Sequence, residues 1–119
     1  MSRVDRGKRA QRAGAAAEDT VLRHYEESGH HMVARNWRGH GGEIDLIFRI
    51  GAELIFVEVK SSRTGAGASR LRPAQLARIQ AAAEEFLGGQ PAGLLTPMRI
   101  DLATVDGTGR VEVLQNLGV

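Results

Sequence analysis

The sequence predicts an α/β fold in which a mixed β-sheet carries flanking helices, with the element order α-β-β-β-α-β-β. Three observations support this class. Residues 13–29 and 73–87 show the apolar spacing of helices, whereas five short segments are rich in β-branched and aromatic residues. A third is the size of the chain, because 119 residues with 42% apolar content are enough to build one hydrophobic core.

The first helix and the first strand follow directly from local pattern. Ala15, Leu22 and Tyr25 recur at roughly helical spacing, and Gly29 is a natural helix stop. The next segment, "HMVARNW" (31–37), has the composition of a strand.

A hairpin is predicted in the middle of the chain. The Gly-rich turn "RGHGG" (38–42) leads into strands at 43–50 and 53–60, which are separated by Gly51-Ala52. The turn lacks the strand–loop–helix context and the lysine of a phosphate-binding loop. We therefore interpret it as a tight connection into the hairpin.

The second half repeats the alternation of helix and strand. A polar loop (61–72) precedes Pro73, which suits the first position of a helix. Strands at 98–105 and 110–117 flank the turn "DGTG" and predict a second hairpin. The second helix carries one apolar stripe: Leu76, Ile79, Ala83, Phe86 and Leu87.

Composition and charge narrow the class further. The chain has no cysteine and no apolar run long enough to span a bilayer, so we expect a cytoplasmic protein without a membrane partner. Residues 1–12 hold five basic residues against one acid, a local charge of +4 in a chain of net charge +2. We predict a flexible basic arm at 1–12 and one domain at 13–119. The arm suits phosphate binding and a solubilising tail equally well.

Charged side chains of the central hairpin are predicted to lie on one face of its two strands. Alternation in a strand divides the side chains between two faces of the sheet. We expect one face to hold Ile44, Leu46, Phe48, Ile55, Val57 and Val59, and the other to hold Glu43, Asp45, Ile47, Arg49, Leu54, Phe56, Glu58 and Lys60.

The predicted turn also sets which charges oppose each other. A two-residue Gly51-Ala52 loop places Asp45 opposite Glu58, and Glu43 opposite Lys60. Two carboxylates this close repel each other unless a cation lies between them. Mg²⁺ and Mn²⁺ take such oxygen ligands, and Lys60 on the same face could orient water or stabilise charge on a phosphate. The alternative is an edge hairpin whose polar face is simply solvated.

These residues resemble a known signature. A helical acid, an Asp on one strand and E-x-K on the next are typical of the PD-(D/E)xK nuclease superfamily. The stretch "GGEIDLIFRIGAELIFVEVKSSR", with "VARNWR" upstream and "RIQAAAEEFL" and "MRIDLATV" downstream, closely resembles the YraN family of small bacterial proteins. The similarity covers roughly residues 13–117. It implies a restriction-endonuclease-like core similar to that of Holliday-junction resolvases.

The resemblance assigns roles to individual positions. It implies that Asp45 and Glu58 bind the metal ion and that Lys60 is the catalytic lysine. It also implies that Glu18, which alone reads as an ordinary first-helix acid, completes the site. Two supporting candidates remain: Glu43 as a further ligand or partner of Lys60, and Gln75 as either a substrate-positioning or a solvent-facing residue.

A metal-dependent endonuclease is the predicted function. We expect it to hydrolyse phosphodiesters, with structured or branched DNA as the favoured partner, Mg²⁺ or Mn²⁺ as cofactor, and a homodimer as one assembly. The alternatives are a non-catalytic nucleic-acid-binding or adaptor protein that keeps the fold, and a structural module of a protein complex. The residues expected to contact the phosphate backbone of the nucleic acid are Arg63, Arg70, Arg72, Arg9 and Arg12.

Overall fold

A computed structural model describes residues 3–62 and 71–117, with side chains from residue 14 onward. Its element order is the predicted α-β-β-β-α-β-β, with one short 3₁₀ turn before the fourth strand. The elements are α1 (Arg3–Glu27), β1 (His31–Arg38), β2 (Glu43–Ile50), β3 (Glu53–Ser61), α2 (Pro73–Gly88), β4 (Met98–Val105) and β5 (Val111–Leu114).

The five strands form one mixed sheet in the order β1-β2-β3-β4-β5. Neighbouring strands are antiparallel except β3 and β4, which are parallel because α2 connects them. The predicted mixed sheet and the second hairpin are therefore confirmed.

The two helices pack on opposite faces of the sheet, which gives three layers. On one face α1 contributes Ala17, Val21 and Tyr25 to the core. Of the apolar stripe predicted for this helix, Tyr25 is buried and Leu22 is half-buried, but Ala15 is exposed. On the other face α2 packs through its predicted stripe, joined by Ala82.

The first helix begins earlier than the sequence predicts. It starts at Arg3, ten residues before the predicted start, so the backbone of residues 3–12 continues the helix. Alanine, arginine, lysine and glutamine, which dominate residues 8–17, are all strong helix formers. That this segment binds phosphates stays a prediction.

The Gly-rich turn 38–42 is shaped by its contact with α2. A Cβ atom on Gly42 would lie 2.9 Å from the carbonyl oxygen of Arg78, closer than packed atoms tolerate. His40 donates its backbone N–H to Glu85 on α2, and its ring Nδ1 lies 2.8 Å from Glu85 Oε1. The glycines thus let the loop before β2 approach the helix closely, as a tight connection requires.

A buried polar network ties α1 to β4. Asp101 is fully buried and accepts hydrogen bonds from the Tyr25 hydroxyl (2.7 Å), from Arg99 Nε (3.1 Å) and from the backbone N–H of Asn116 (3.1 Å). Arg99 also bonds Glu53 at 3.2 Å. Burial and the Asp101 carboxylate hold the pKa of the Tyr25 hydroxyl well above its usual range.

Candidate active site

Asp45 lies where the backbones of β2 and β3 stop pairing. The register runs from Ile50–Glu53 to Leu46–Val57, which confirms the pairing predicted from the two-residue turn. The next pair in that register is Asp45 and Glu58, and the ladder ends just before it. Instead, the Asp45 carboxylate accepts a hydrogen bond from the backbone N–H of Val59 at 2.8 Å. The side chain therefore takes the place of a backbone acceptor between the two strands.

The face predicted for Ile44 is wrong. Leu46 packs in the core beneath α1, as predicted, but Ile44 packs in the core beneath α2 together with Ile47. Regular alternation would put Ile44 and Leu46 on the same face. It breaks at the position between them, which is Asp45.

The electrostatics of Asp45 reflect an acid held close to other acids. Burial, followed by the charge of Glu58, raises the pKa of Asp45 to about 7, although the N–H of Val59 opposes the shift. The charge of Glu18 raises this pKa further, as does a side-chain hydrogen bond to Glu58. Three carboxylates from α1, β2 and β3 therefore interact at one place. The hairpin register predicted that Asp45 and Glu58 would lie close together, and the family resemblance implied that Glu18 would join them.

Lys60 lies beside Glu58 on β3. Its Nζ is 3.3 Å from Glu58 Oε1, and both side chains are only partly accessible, at 32% and 16%. Glu43 pairs with Arg38 at 3.6 Å, and not with Lys60 as one reading of the sequence suggested. The reason is that the ladder has already ended at this level, so the strands no longer bring Glu43 opposite Lys60.

Glu18 is held from α1 by the first strand. Its Oε1 accepts hydrogen bonds from Arg35 Nε at 3.1 Å and from Asn36 Nδ2 at 3.3 Å, and its side chain is 13% exposed. Arg35 also bonds Asp19 Oδ1 at 2.7 Å. Pattern analysis did not find Arg35 or Asn36, because nothing local indicates that β1 faces this turn of the helix.

A small cavity of about 190 Å³ adjoins Glu58 on the α2 side. Gln75 lines it, and also accepts a 3.4 Å hydrogen bond from the backbone N–H of Arg72 at the helix start. Gln75 thus faces this cavity and caps the helix, so it is not simply solvent-facing. Arg78, one turn further along α2, also lines the cavity and was missed. Its spacing from Gln75 is the signal that could have found it.

The structure describes only some of the arginines predicted to contact the phosphate backbone of a nucleic acid. Arg72 is exposed at the start of α2. Arg63 and Arg70 lie outside the described residues. Arg9 and Arg12 belong to α1, but their side chains are outside the description.

The donor set fits a hard divalent cation bound by few protein ligands. Within residues 14–62 and 71–117, whose side chains the structure describes, no three His, Cys, Asp or Glu side chains are arranged to hold a metal ion. Asp45 and Glu58, however, supply two facing carboxylates, which is the usual protein share of a Mg²⁺ site. The mutual repulsion of these acids is what a bound cation would relieve.

The fold and the site define a small three-layer α/β protein that gathers two carboxylates and a lysine between its second and third strands. The sequence profile of the uncharacterised protein family UPF0102 matches residues 17–105, and the chain belongs to this family. The resemblance to small YraN-like proteins is thereby confirmed.

Relatives of nearly the same length support this membership. The chain is similar to the UPF0102 proteins of Ruegeria pomeroyi (57% identity over 95% of this chain and 93% of the relative) and Cereibacter sphaeroides strain ATCC 17025 (52%, over 92% and 95%). It is also similar to that of Roseobacter denitrificans (47%, over 97% and 90%). Among the described residues, neither helix is long and apolar enough to cross a membrane.

Proposed function

We propose that this protein is a metal-dependent phosphodiesterase of the PD-(D/E)xK type, acting on nucleic acid in the cytoplasm. The observation that carries the proposal is the Asp45–Glu58 pair, two acids that interact at the point where their strands separate. A purely structural site would pair an acid with a base or a donor, because facing carboxylates destabilise a sheet.

Each side chain has a distinct part in the proposed site. Asp45 and Glu58 would hold the cation, with Glu18 as a third acid. When bound, Mg²⁺ or Mn²⁺ supplies Lewis-acid polarisation of the phosphate and lowers the pKa of water. Lys60, held 3.3 Å from Glu58, places its ammonium beside this point, where it can orient a water molecule and stabilise negative charge that develops on the phosphate.

The surroundings of the site favour a phosphate backbone as substrate. Arg78 and Gln75 line the cavity next to Glu58, and exposed Arg72 lies at the start of the same helix. Guanidinium and amide groups are suited to phosphate oxygens. Structured or branched DNA is the substrate we favour, because recognition by shape and charge needs no base-reading element.

The test is hydrolysis of labelled nucleic acids by purified protein. Branched, flapped and single-stranded DNA, and the corresponding RNAs, are incubated with Mg²⁺, with Mn²⁺ or with a chelator. We expect metal-dependent cleavage by the wild type and none by Asp45→Asn or Glu58→Gln. Glu112→Gln, an exposed acid on β5, is the matched control and should cleave normally.

Two results would overturn the proposal. Cleavage that persists in Asp45→Asn and Glu58→Gln would remove the site assignment. Binding of nucleic acid without cleavage of any substrate would favour the non-catalytic binding protein. Titration of labelled DNA with the protein would also show whether a dimer forms on DNA.

A further inference from the structure

Arg35 and Asn36 are neighbours in β1, yet both contact the same carboxylate oxygen. Arg35 Nε and Asn36 Nδ2 donate to Glu18 Oε1 at 3.1 and 3.3 Å. In a regular strand, adjacent side chains leave from opposite faces of the sheet and could not meet one acid. The backbone of β1 must therefore depart from regular geometry at this level.

The departure is located at Asn36. This residue has a φ of 51°, a left-handed conformation that asparagine tolerates better than other non-glycine residues. The pairs Arg35–Leu46 and Trp37–Ile44 bracket it, so Asn36 lies at the level of Asp45 in the neighbouring strand.

Both strands change face at this level. Arg35 bonds α1, whereas Trp37 packs in the core beneath α2. Across the ladder, Leu46 packs beneath α1 and Ile44 beneath α2. One irregular step thus turns Arg35 and Asn36 toward Glu18 and brings Asp45 toward β3.

The contacts leave one oxygen of Glu18 available. Both donors bind Oε1, and within the described residues Oε2 takes part in no hydrogen bond. Arg35 is itself anchored by Asp19 and by the carbonyl oxygen of Ala15 at 3.1 Å. Its positive charge also offsets the third negative charge near Asp45 and Glu58, which makes a three-acid site easier to assemble.

We propose that Arg35 and Asn36 form a carboxylate clamp that holds Glu18 beside the Asp45–Glu58 pair, where its negative charge strengthens binding of the cation. The inference rests on the proposed function. Both are positioning residues, because they act on the ligand only through Glu18. Outer-shell partners of this kind typically change metal affinity by about 10- to 100-fold.

The test measures Mn²⁺ binding by isothermal titration calorimetry without nucleic acid, alongside thermal unfolding. Asn36→Gly keeps the left-handed backbone and removes only the donor, and Arg35→Lys keeps the positive charge but removes the Nε donor to Glu18. We expect each to weaken Mn²⁺ binding by about tenfold. Glu112→Gln is the matched control: it removes an exposed carboxylate that pairs with Arg110 and takes no part in the clamp, and it should bind Mn²⁺ as the wild type does.

A double variant separates positioning from general damage. If the clamp acts through Glu18, then Asn36→Gly added to Glu18→Gln weakens Mn²⁺ binding no further than Glu18→Gln alone. Wild-type affinity in folded Asn36→Gly and Arg35→Lys would overturn the clamp and leave the proposed function standing. A wild-type protein that binds no Mn²⁺ would overturn both.

Discussion

Two aspartates of the sheet, Asp101 on β4 and Asp45 on β2, are both withdrawn from water, but their surroundings differ in kind. Asp101 is fully buried and is met by a tyrosine hydroxyl, a guanidinium and a backbone N–H. Asp45 is met by one backbone N–H and by two further acids. A protein satisfies a buried charge that serves its fold, whereas a charge left facing like charges indicates a ligand.

The comparison predicts that the most severe loss of function comes from the acid site. Lys60→Met should reduce phosphodiester hydrolysis by about 100-fold or more, because a positioned proton-transfer or charge-stabilising group is worth that much. Its unfolding temperature should change little, since Lys60 is partly accessible and, within the described residues, pairs with Glu58. Initial cleavage rates at saturating Mg²⁺ measure the effect. Cleavage at the wild-type rate would exclude Lys60 from the chemistry.

The largest changes in the free energy of unfolding should come instead from the buried network of Asp101, Tyr25 and Arg99. Asp101→Ala should lower the free energy of unfolding by about 3–5 kcal/mol, because it removes the acceptor of three donors and leaves the largely buried Arg99 guanidinium with Glu53 as its remaining carboxylate partner. Tyr25→Phe removes one hydrogen bond and should cost about 1–2 kcal/mol. Urea unfolding measures both. The Glu112→Gln variant, whose ion pair with Arg110 is exposed, should remain within about 0.5 kcal/mol of the wild type.

Replacement of Asp45, in contrast to that of Asp101, should raise the free energy of unfolding. Asp45→Asn should stabilise the metal-free protein at pH 8 by about 1–2 kcal/mol, because it removes the repulsion from Glu58 and keeps an acceptor for Val59. The folded-state pKa of about 7 lies above the ordinary value of 3.8, so the folded protein holds a proton that the unfolded chain has lost. Wild-type stability therefore falls as pH rises between these values.

The same reasoning sets the pH dependence of the difference between the two proteins. The stabilisation by Asp45→Asn should be near zero at pH 4, should grow through pH 5–7 and should level off above pH 7. Thermal unfolding across this pH range, without divalent ions, gives the curve. A difference that does not change with pH would mean that Asp45 is not held against other charges.

The smallest expected effect concerns the cavity beside Glu58. Arg78→Gln should weaken binding of nucleic acid and reduce the slope of log affinity against log salt by about one, as the loss of one phosphate contact does. Fluorescence anisotropy at several salt concentrations measures this. An unchanged slope would place the substrate elsewhere. Arg110→Gln, on the distant β4–β5 hairpin, is the control.

Local signals in the sequence were sufficient for the elements and for the hairpin register. Gly51 and Ala52 form a two-residue loop with Gly51 at a φ of 58°, and such a loop fixes which residues pair. Counting from this turn then gives the pairs from Ile50–Glu53 to Leu46–Val57, which the structure confirms. The pairing of β2 with β3 was predictable because it depends on one short turn.

What could not be predicted depends on contacts between distant segments. At the level of the left-handed Asn36, the side chains of β1 and β2 switch from one face of the sheet to the other. No local sequence pattern indicates this switch. The partner of Asp101 is Tyr25, 76 residues away on another element. Strand alternation assumes regular geometry, so it gave the wrong face for Ile44 at a step where β1 and β2 depart from that geometry.

We propose that Asp45 and Glu58 face each other because they bind a divalent cation together. Thermal unfolding at pH 8 with increasing Mn²⁺ tests it most directly, in the wild type and in Asp45→Asn. We predict that Mn²⁺ raises the unfolding temperature of the wild type, by about 2.7 kcal/mol of added stability at 100 times the dissociation constant, and leaves that of Asp45→Asn unchanged. If Mn²⁺ does not stabilise the wild type, or stabilises both proteins equally, Asp45 and Glu58 do not bind the cation as a pair.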